Sequence, residues 1–231
     1  MNITCRKMRK TDYQEIKKLI IQAWFSEYKF SNKIKENYAS AYLRLYLSES
    51  NYRIVVCDND NVIAFLFGRH RKVNFFEKYY NLFLLLVIKF FFLFSKPGRR
   101  KNKILKKTKK VNNTLYKKYK KVLFNELVLF IVEKKYQGYG IGTKLENDFS
   151  NYLKEKSEEY VYLFSDTYSN YQFYKKKGYI KGGELEVDFD IEGEREETCP
   201  KYFIYYKELS YKKTREKSFW ILHEFALITR S

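Results

Sequence analysis

Gln137, Gly138, Gly140 and Gly142 place three glycines within five positions, in a 231-residue chain that holds nine. Six apolar residues, Leu127 to Val132, come just before them. After them, Leu145, Phe149, Tyr152 and Leu153 recur at helical spacing. A strand, a glycine turn and a helix start, in that order, make a seat for a bulky anion. Glycine lets backbone N–H groups close around the ligand, and the first helical amides and the positive end of the helix dipole add to the pull. Pyrophosphate is the group such a turn suits; an ordinary glycine-rich turn is the plain alternative. Spacing excludes two other phosphate loops. A P-loop needs Gly-Lys-Ser/Thr after a four-residue gap, and none is present. The dinucleotide fingerprint needs glycine at 143 or 145, where the chain has Thr and Leu. The strand leading into the turn is predicted over Val122–Val132. In its alternation Glu126 shares a face with Val128, Phe130 and Val132, a carboxylate on an otherwise apolar face.

The elements that must position this turn can be read on both sides of it. Ile3 to Met8 reads as a short strand, followed by a helix that Asp12 or Thr11 can cap, with Glu15 placed as in a capping box. Ile16, Leu19, Ile20, Ala23 and Trp24 predict the buried face of that helix. A second helix is predicted over Lys35–Leu47. "YRIVVCD" and "VIAFLFGRH" predict two strands joined by a tight Asp/Asn turn.

The turn matches Gln/Arg-x-x-Gly-x-Gly/Ala through Gln137, Gly140 and Gly142, and so resembles the GCN5-related N-acetyltransferases (GNATs). The resemblance continues outside it. "ITCRKMRKTDYQEIKKL" is similar to that family's first strand and helix, and "ELVLFIVEKKYQGYGIG" to its fourth strand and loop. "YLFSDTYSNYQFYKKKGYI" resembles the fifth strand and following helix, with Tyr174, Gly178 and Tyr179 in the common Tyr-x-x-x-Gly-aromatic pattern; "PKYFIYYKEL" would be the last strand. The order of elements agrees from Met1 to about Leu209, apart from an interruption at 72–121. The resemblance implies an α/β fold, a mixed central sheet flanked by helices, into which this chain would set a long helical insertion between the third and fourth strands. It implies acetyl-CoA as co-substrate and direct transfer of acetyl to a primary amine of a small molecule. Phe130, Ile131, Val132, Gln137, Gly138, Tyr139, Gly140, Ile141, Gly142 and Thr143 would hold the cofactor. Asn170 would reach its pantetheine arm, a register at which Ser169 or Thr167 is the alternative. Glu126 falls where relatives carry a base, and Tyr174 where they carry the donor to the departing thiolate; a phenol suits a group that must stay protonated at neutral pH. A non-catalytic acyl-CoA-binding or membrane-surface module on the same fold is the rival reading.

The interruption is this chain's own. Tyr79 to Phe94 is apolar but for Asn81 and Lys89, too short and too charged for a comfortable membrane span. Residues 96–121 then carry thirteen Lys/Arg and no Asp or Glu, in a chain of net charge +19. The segment would contact a membrane surface, or form a helical hairpin that covers the acceptor cleft or makes a homodimer through 75–121; nucleic acid fits less well because no base-reading motif accompanies the charge. Glu184, Glu186, Asp188 and Asp190 alternate with Leu185, Val187, Phe189 and Ile191, predicting a strand with an acidic face that would border an amine site or merely protect an edge. The tail 210–231 is expected to form a helix. Cys5, Cys57 and Cys199 lie far apart, and with His70 and His223 they offer no metal-ligand spacing. The N-terminus lacks the apolar core of a secretory signal, so a reduced, metal-free cytosolic chain is expected.

Overall fold

The computed structural model describes residues 2–27, 30–92, 96–187 and 200–209. Strand β1 (Ile3–Lys7) leads through a 3-10 turn into helix α1 (Tyr13–Trp24). Asp12 stands at the N-cap position, but its carboxylate does not cap the helix. It accepts the Arg9 N–H at 2.6 Å and pairs with Arg6 at 2.8 Å, while Glu15 pairs with Lys18. Ile16, Leu19 and Ile20 are buried as their spacing predicts, whereas Ala23 is exposed, Trp24 is half-buried against Tyr42, and Phe25 takes the last core position. Helix α2 (Asn32–Glu49) runs beyond the predicted bounds at both ends. Strands β2 (Tyr52–Asp58) and β3 (Asn61–Arg69) form the predicted hairpin, its turn made by Asn59 and Asp60, both at positive φ.

The chain between β3 and the next strand makes two helices, α3 (Phe75–Phe92) and α4 (Lys96–Lys117). Strand β4 (Glu126–Val132) starts later than its apolar run suggests. Leu123 is instead a core residue in the connection, and Asn125 uses its side chain to bond Glu158 and the Tyr160 carbonyl. Helix α5 (Ile141–Glu155), strand β5 (Tyr160–Asp166), the short helix α6 (Tyr171–Lys176) and strands β6 (Ile180–Glu186) and β7 (Lys201–Glu208) complete the described chain.

The strands form one mixed sheet of seven in the order β1-β2-β3-β4-β5-β7-β6. β4 and β5 are parallel and the other pairs antiparallel. On one face α5 sets Leu145, Phe149 and Leu153 against Leu66, Leu127, Val161 and Leu163. The opposite face is covered in two parts: α1, α2 and α3 over Val55, Phe65, Phe67, Leu129 and Ile131, and α4 over Tyr160, Tyr162, Tyr202 and Ile204. Burying both faces explains why the central strands read as near-continuous apolar runs.

Opposite β1, β6 is one of the two edge strands. Glu184 and Glu186 lie on it and pair with Lys181 and Lys201, at 2.7 and 3.7 Å, which suits a charged, protected edge. The remainder of the predicted acidic strand, and the tail, lie outside the described residues.

Candidate active site

The glycine turn is built as its sequence demands. β4 ends at Val132, one 3-10 turn follows (Lys134–Tyr136), and Gly140 is the N-cap of α5. Gly138 and Gly140 have φ of +89° and +78°, and a Cβ at either would meet nothing within 4 Å. Their requirement is therefore backbone conformation rather than space. Gly142 differs: its Cβ would stand 2.9 Å from Phe130 Cζ, so this glycine lets the helix start lie close on β4. The first helical bond is Lys144 N–H to the Gly140 carbonyl, at 3.0 Å, so the amides of Ile141, Gly142 and Thr143 precede the helical ladder and point out of the helix start. Gln137 turns its side chain back, donating from Nε2 to the Val132 carbonyl at 3.0 Å, and so fixes the loop to the strand end. Tyr139 is exposed at the loop tip and Ile141 is buried beneath it.

Beside this turn the sheet opens. β4 and β5 share a single register pair, Glu126 with Tyr162, where Tyr162 N–H donates to the Asn125 carbonyl at 2.9 Å. Beyond it, the β4 edge through Phe130, Ile131 and Val132 has no registered strand partner among the described residues, while its other edge pairs with β3 throughout. A strand edge left open inside a sheet suits an extended, amide-bearing chain laid between β4 and β5.

Glu126 sits where the two strands still meet. The alternation expected to put it with Val128, Phe130 and Val132 is broken by a bulge: Phe67 pairs with Leu129 and Gly68 with Leu127, leaving Val128 as the extra residue. Phe130 and Val132 accordingly pack on the α5 side with Leu127, and Leu129 and Ile131 on the α1 side. Glu126 faces the α1 side, opposite Arg69 in register. Arg69 donates to Glu126 Oε2 and, at 2.7 Å, to the Tyr162 hydroxyl, which itself donates to Glu126 at 3.0 Å. Burial pushes the Glu126 carboxyl up to about 6, against the pull of Arg69. Burial also raises Glu49, the last residue of α2, again against Arg69 and with Lys109 of α4 opposing. Tyr46, one helical turn before Glu49, is raised by burial and then by Glu49, Glu126 and Asp166. Tyr116 of α4 stacks on Tyr162 at 5.1 Å. A polar cluster thus gathers over the opening, between α2 and α4.

Tyr174 lies on the other face, half-buried in the α5-side cluster, its ring 5.4 Å from Phe173 and 5.7 Å from Tyr179. Its hydroxyl makes no hydrogen bond among the described residues, and burial raises its pKa well above the ordinary phenol value, with Asp166 and Glu146 adding to the rise. Asn170 is exposed at the N-cap position of α6 and makes no capping bond. Asp166 orders this loop instead, its Oδ1 accepting from the Tyr168 and Ser169 amides and from Ser169 Oγ at 2.7–3.0 Å.

The structure thus brings together the turn, the open β4 edge and, at opposite faces of that opening, Glu126 and Tyr174. Arg69, Tyr162, Glu49, Tyr46 and Asp166 did not stand out in the sequence. Two had a signal: Arg69 closes a long apolar strand, and Asp166 with Ser169 has the spacing of a side-chain-closed turn.

Residues 118–191 match the family model of the acetyltransferase (GNAT) domain. That segment is therefore similar to a GNAT acetyltransferase domain. The fold agrees: the ribosomal-protein-S18-alanine N-acetyltransferase of Escherichia coli superposes with a TM-score of 0.51 at 12% identity, over 93% of this chain and 98% of that one. A GNAT-family protein from Desulfovibrio desulfuricans gives 0.52 at 10% identity, over 90% and 100%. The protein PH1933 of Pyrococcus horikoshii gives 0.56 at 15%, over 91% and 100%. No curated protein matches the chain by sequence. The chain therefore shares the fold of these structures, and the match of 118–191 spans the turn, the open β4 edge and Tyr174.

Proposed function

We propose that the chain transfers an acetyl group from acetyl-CoA to a primary amine of a small molecule by direct attack. The observation that carries this reading is the left-handed Gly138/Gly140 turn, which opens α5 directly beside the unpaired edge of β4. The residues suit the co-substrate: out-pointing amides of 141–143 for its pyrophosphate, and the backbone of Phe130 to Val132 for its amide-bearing arm. Bound there, acetyl-CoA supplies an activated thioester.

Glu126 serves as the base. A carboxyl near 6 is ionised at neutral pH and still basic enough to take a proton from an ammonium through water. Arg69 and Tyr162 fix its orientation. Tyr174, with an open hydroxyl that stays protonated at neutral pH, donates to the departing thiolate. The carboxylates around the opening, Glu126, Glu49 and Asp166, favour a cationic acceptor.

Calorimetric titration with acetyl-CoA tests the reading, beside a Gly140→Asp variant. Micromolar binding to the wild type, lost in the variant, supports it. A folded wild type that does not bind acetyl-CoA refutes it.

A further inference from the structure

Helix α3 turns two different faces outward and inward. Inward, Asn81, Leu85 and Phe92 are buried, Asn81 accepting from Arg44 of α2 at 3.2 Å. Outward stand Phe76, Tyr79, Tyr80, Phe83, Leu86 and Val87, with Phe76 82%, Phe83 62% and Leu86 66% exposed. Their spacing puts them on one stripe covering about a third of the helix circumference, the width of a face that normally meets a core. Isolated exposed apolar side chains are ordinary, but a contiguous stripe of rings and branched chains marks a contact surface.

The charge beside it identifies the contact. α3 packs against α4. α4 turns Val111 and Leu115 to the sheet and leaves Lys106, Lys109, Lys110 and Lys117 exposed. Lys89 of α3 has its pKa lowered by burial and then by Lys109 and Lys106, so the two helices bring their cations together. We infer that the outer face of α3 lies in the interface of an anionic membrane, its apolar side chains among the acyl chains near the head groups and the lysines of α4 on anionic lipid. An apolar stripe bordered by cations is the composition that such surfaces bind. A second copy of the chain fits worse: closing two α3 faces on each other would bring together two segments of thirteen cations each, with no acid in either. Among the described residues no helix is long and apolar enough to cross a membrane, which agrees with a helix lying along the surface.

The test is co-sedimentation with vesicles of phosphatidylcholine alone and of phosphatidylcholine with a quarter phosphatidylserine. The wild type is compared with a Phe83→Asp/Leu86→Asp variant, whose changes fall on exposed positions. The expected result is sedimentation with the anionic vesicles, weaker without phosphatidylserine and at 0.5 M salt, and reduced at least about tenfold in the variant. Acetyl-CoA binding, measured in parallel, stays equal in the two proteins, so this inference and the acetyl-CoA reading fail separately. Absence of sedimentation by the wild type overturns the inference. So does equal sedimentation of variant and wild type, since α3 would then stay out of the lipid. Concentration-dependent association that the variant abolishes, without vesicle binding, would assign the face to a second copy instead.

Discussion

At the scale of single residues, the proposed reaction asks opposite things of two groups. Tyr174 must keep its proton, and burial raises its pKa. Tyr174→Phe removes only the hydroxyl, so kcat should fall by about a hundredfold or more while acetyl-CoA affinity stays within about twofold. Equal turnover in the variant would assign the thiolate's proton elsewhere; a chain without turnover that binds acyl-CoA would be the non-catalytic module. Glu126 must lose its proton. With its carboxyl near 6, kcat/KM should rise as pH passes through about 6, and Glu126→Gln should lower the rate and abolish that limb. The same group leaves a mark on stability. Its folded pKa lies above the unfolded carboxyl value of about 4.3, so between the two the folded chain binds more protons. Its contribution therefore becomes unfavourable as pH rises from about 4.3 to about 6, by up to ~2 kcal/mol. Urea unfolding of wild type and Glu126→Gln across that window should differ with this slope; a flat difference would mean that Arg69 holds the carboxyl at its ordinary value. Of these residues, Glu126 was singled out by its place on the strand leading into the glycine turn, and Tyr174 by the Tyr-x-x-x-Gly-aromatic pattern it makes with Gly178 and Tyr179. Arg69, Tyr162, Glu49 and Asp166 come from four separate elements, and only the sheet register and the end of α2 gather them.

At the scale of elements, one extra residue in β4 decides which way the site faces. "ELVLFIV" carries no glycine or proline to mark a bulge, so simple alternation put Glu126 on one face with Phe130 and Val132, which pack on the α5 side. The bulge falls opposite Gly68, and that glycine shows why α5 can lie so close there. A Cβ at Gly68 would stand 2.4 Å from Phe149 Cε2 and Cζ, and Phe149 is fully buried in α5 with no room to retreat. Gly68→Ala should therefore cost about 1–3 kcal/mol, seen as a lower urea midpoint. It should also weaken acetyl-CoA binding, because in the proposed function the same helix offers its first amides to the pyrophosphate. Unchanged stability would mean that α5 stands farther from the sheet. Most elements were legible from their spacing, and the turn was legible because consecutive residues build it. The late start of β4 was not, because Leu123 and Asn125 are claimed by tertiary contacts that an apolar run does not reveal.

At the scale of the whole molecule, the charge is lopsided. Residues 96–121 hold thirteen of the 46 cations and none of the 27 acids. α4 carries most of them on a helix seated over Tyr160, Tyr162 and Ile204, beside the polar cluster at Glu126. Exposed ion pairs elsewhere, such as Lys18 with Glu15 and Lys181 with Glu184, add little and are weakened by salt. Repulsion among the α4 cations, with Lys89 driven down by burial and by Lys109 and Lys106, acts in the opposite direction. The two effects give opposite salt dependences, and the excess of like charge favours repulsion. Raising sodium chloride from 0.05 to 0.5 M should therefore raise the melting temperature by several degrees, as ~1 kcal/mol would in a domain of this size. Replacing Lys106 and Lys109 by Gln should take away much of that gain while raising the low-salt melting temperature. A melting temperature that falls with salt would mean that the acids facing α4, Glu49 and Glu126, more than balance its lysines, and that α4 is held to the sheet by attraction across the opening.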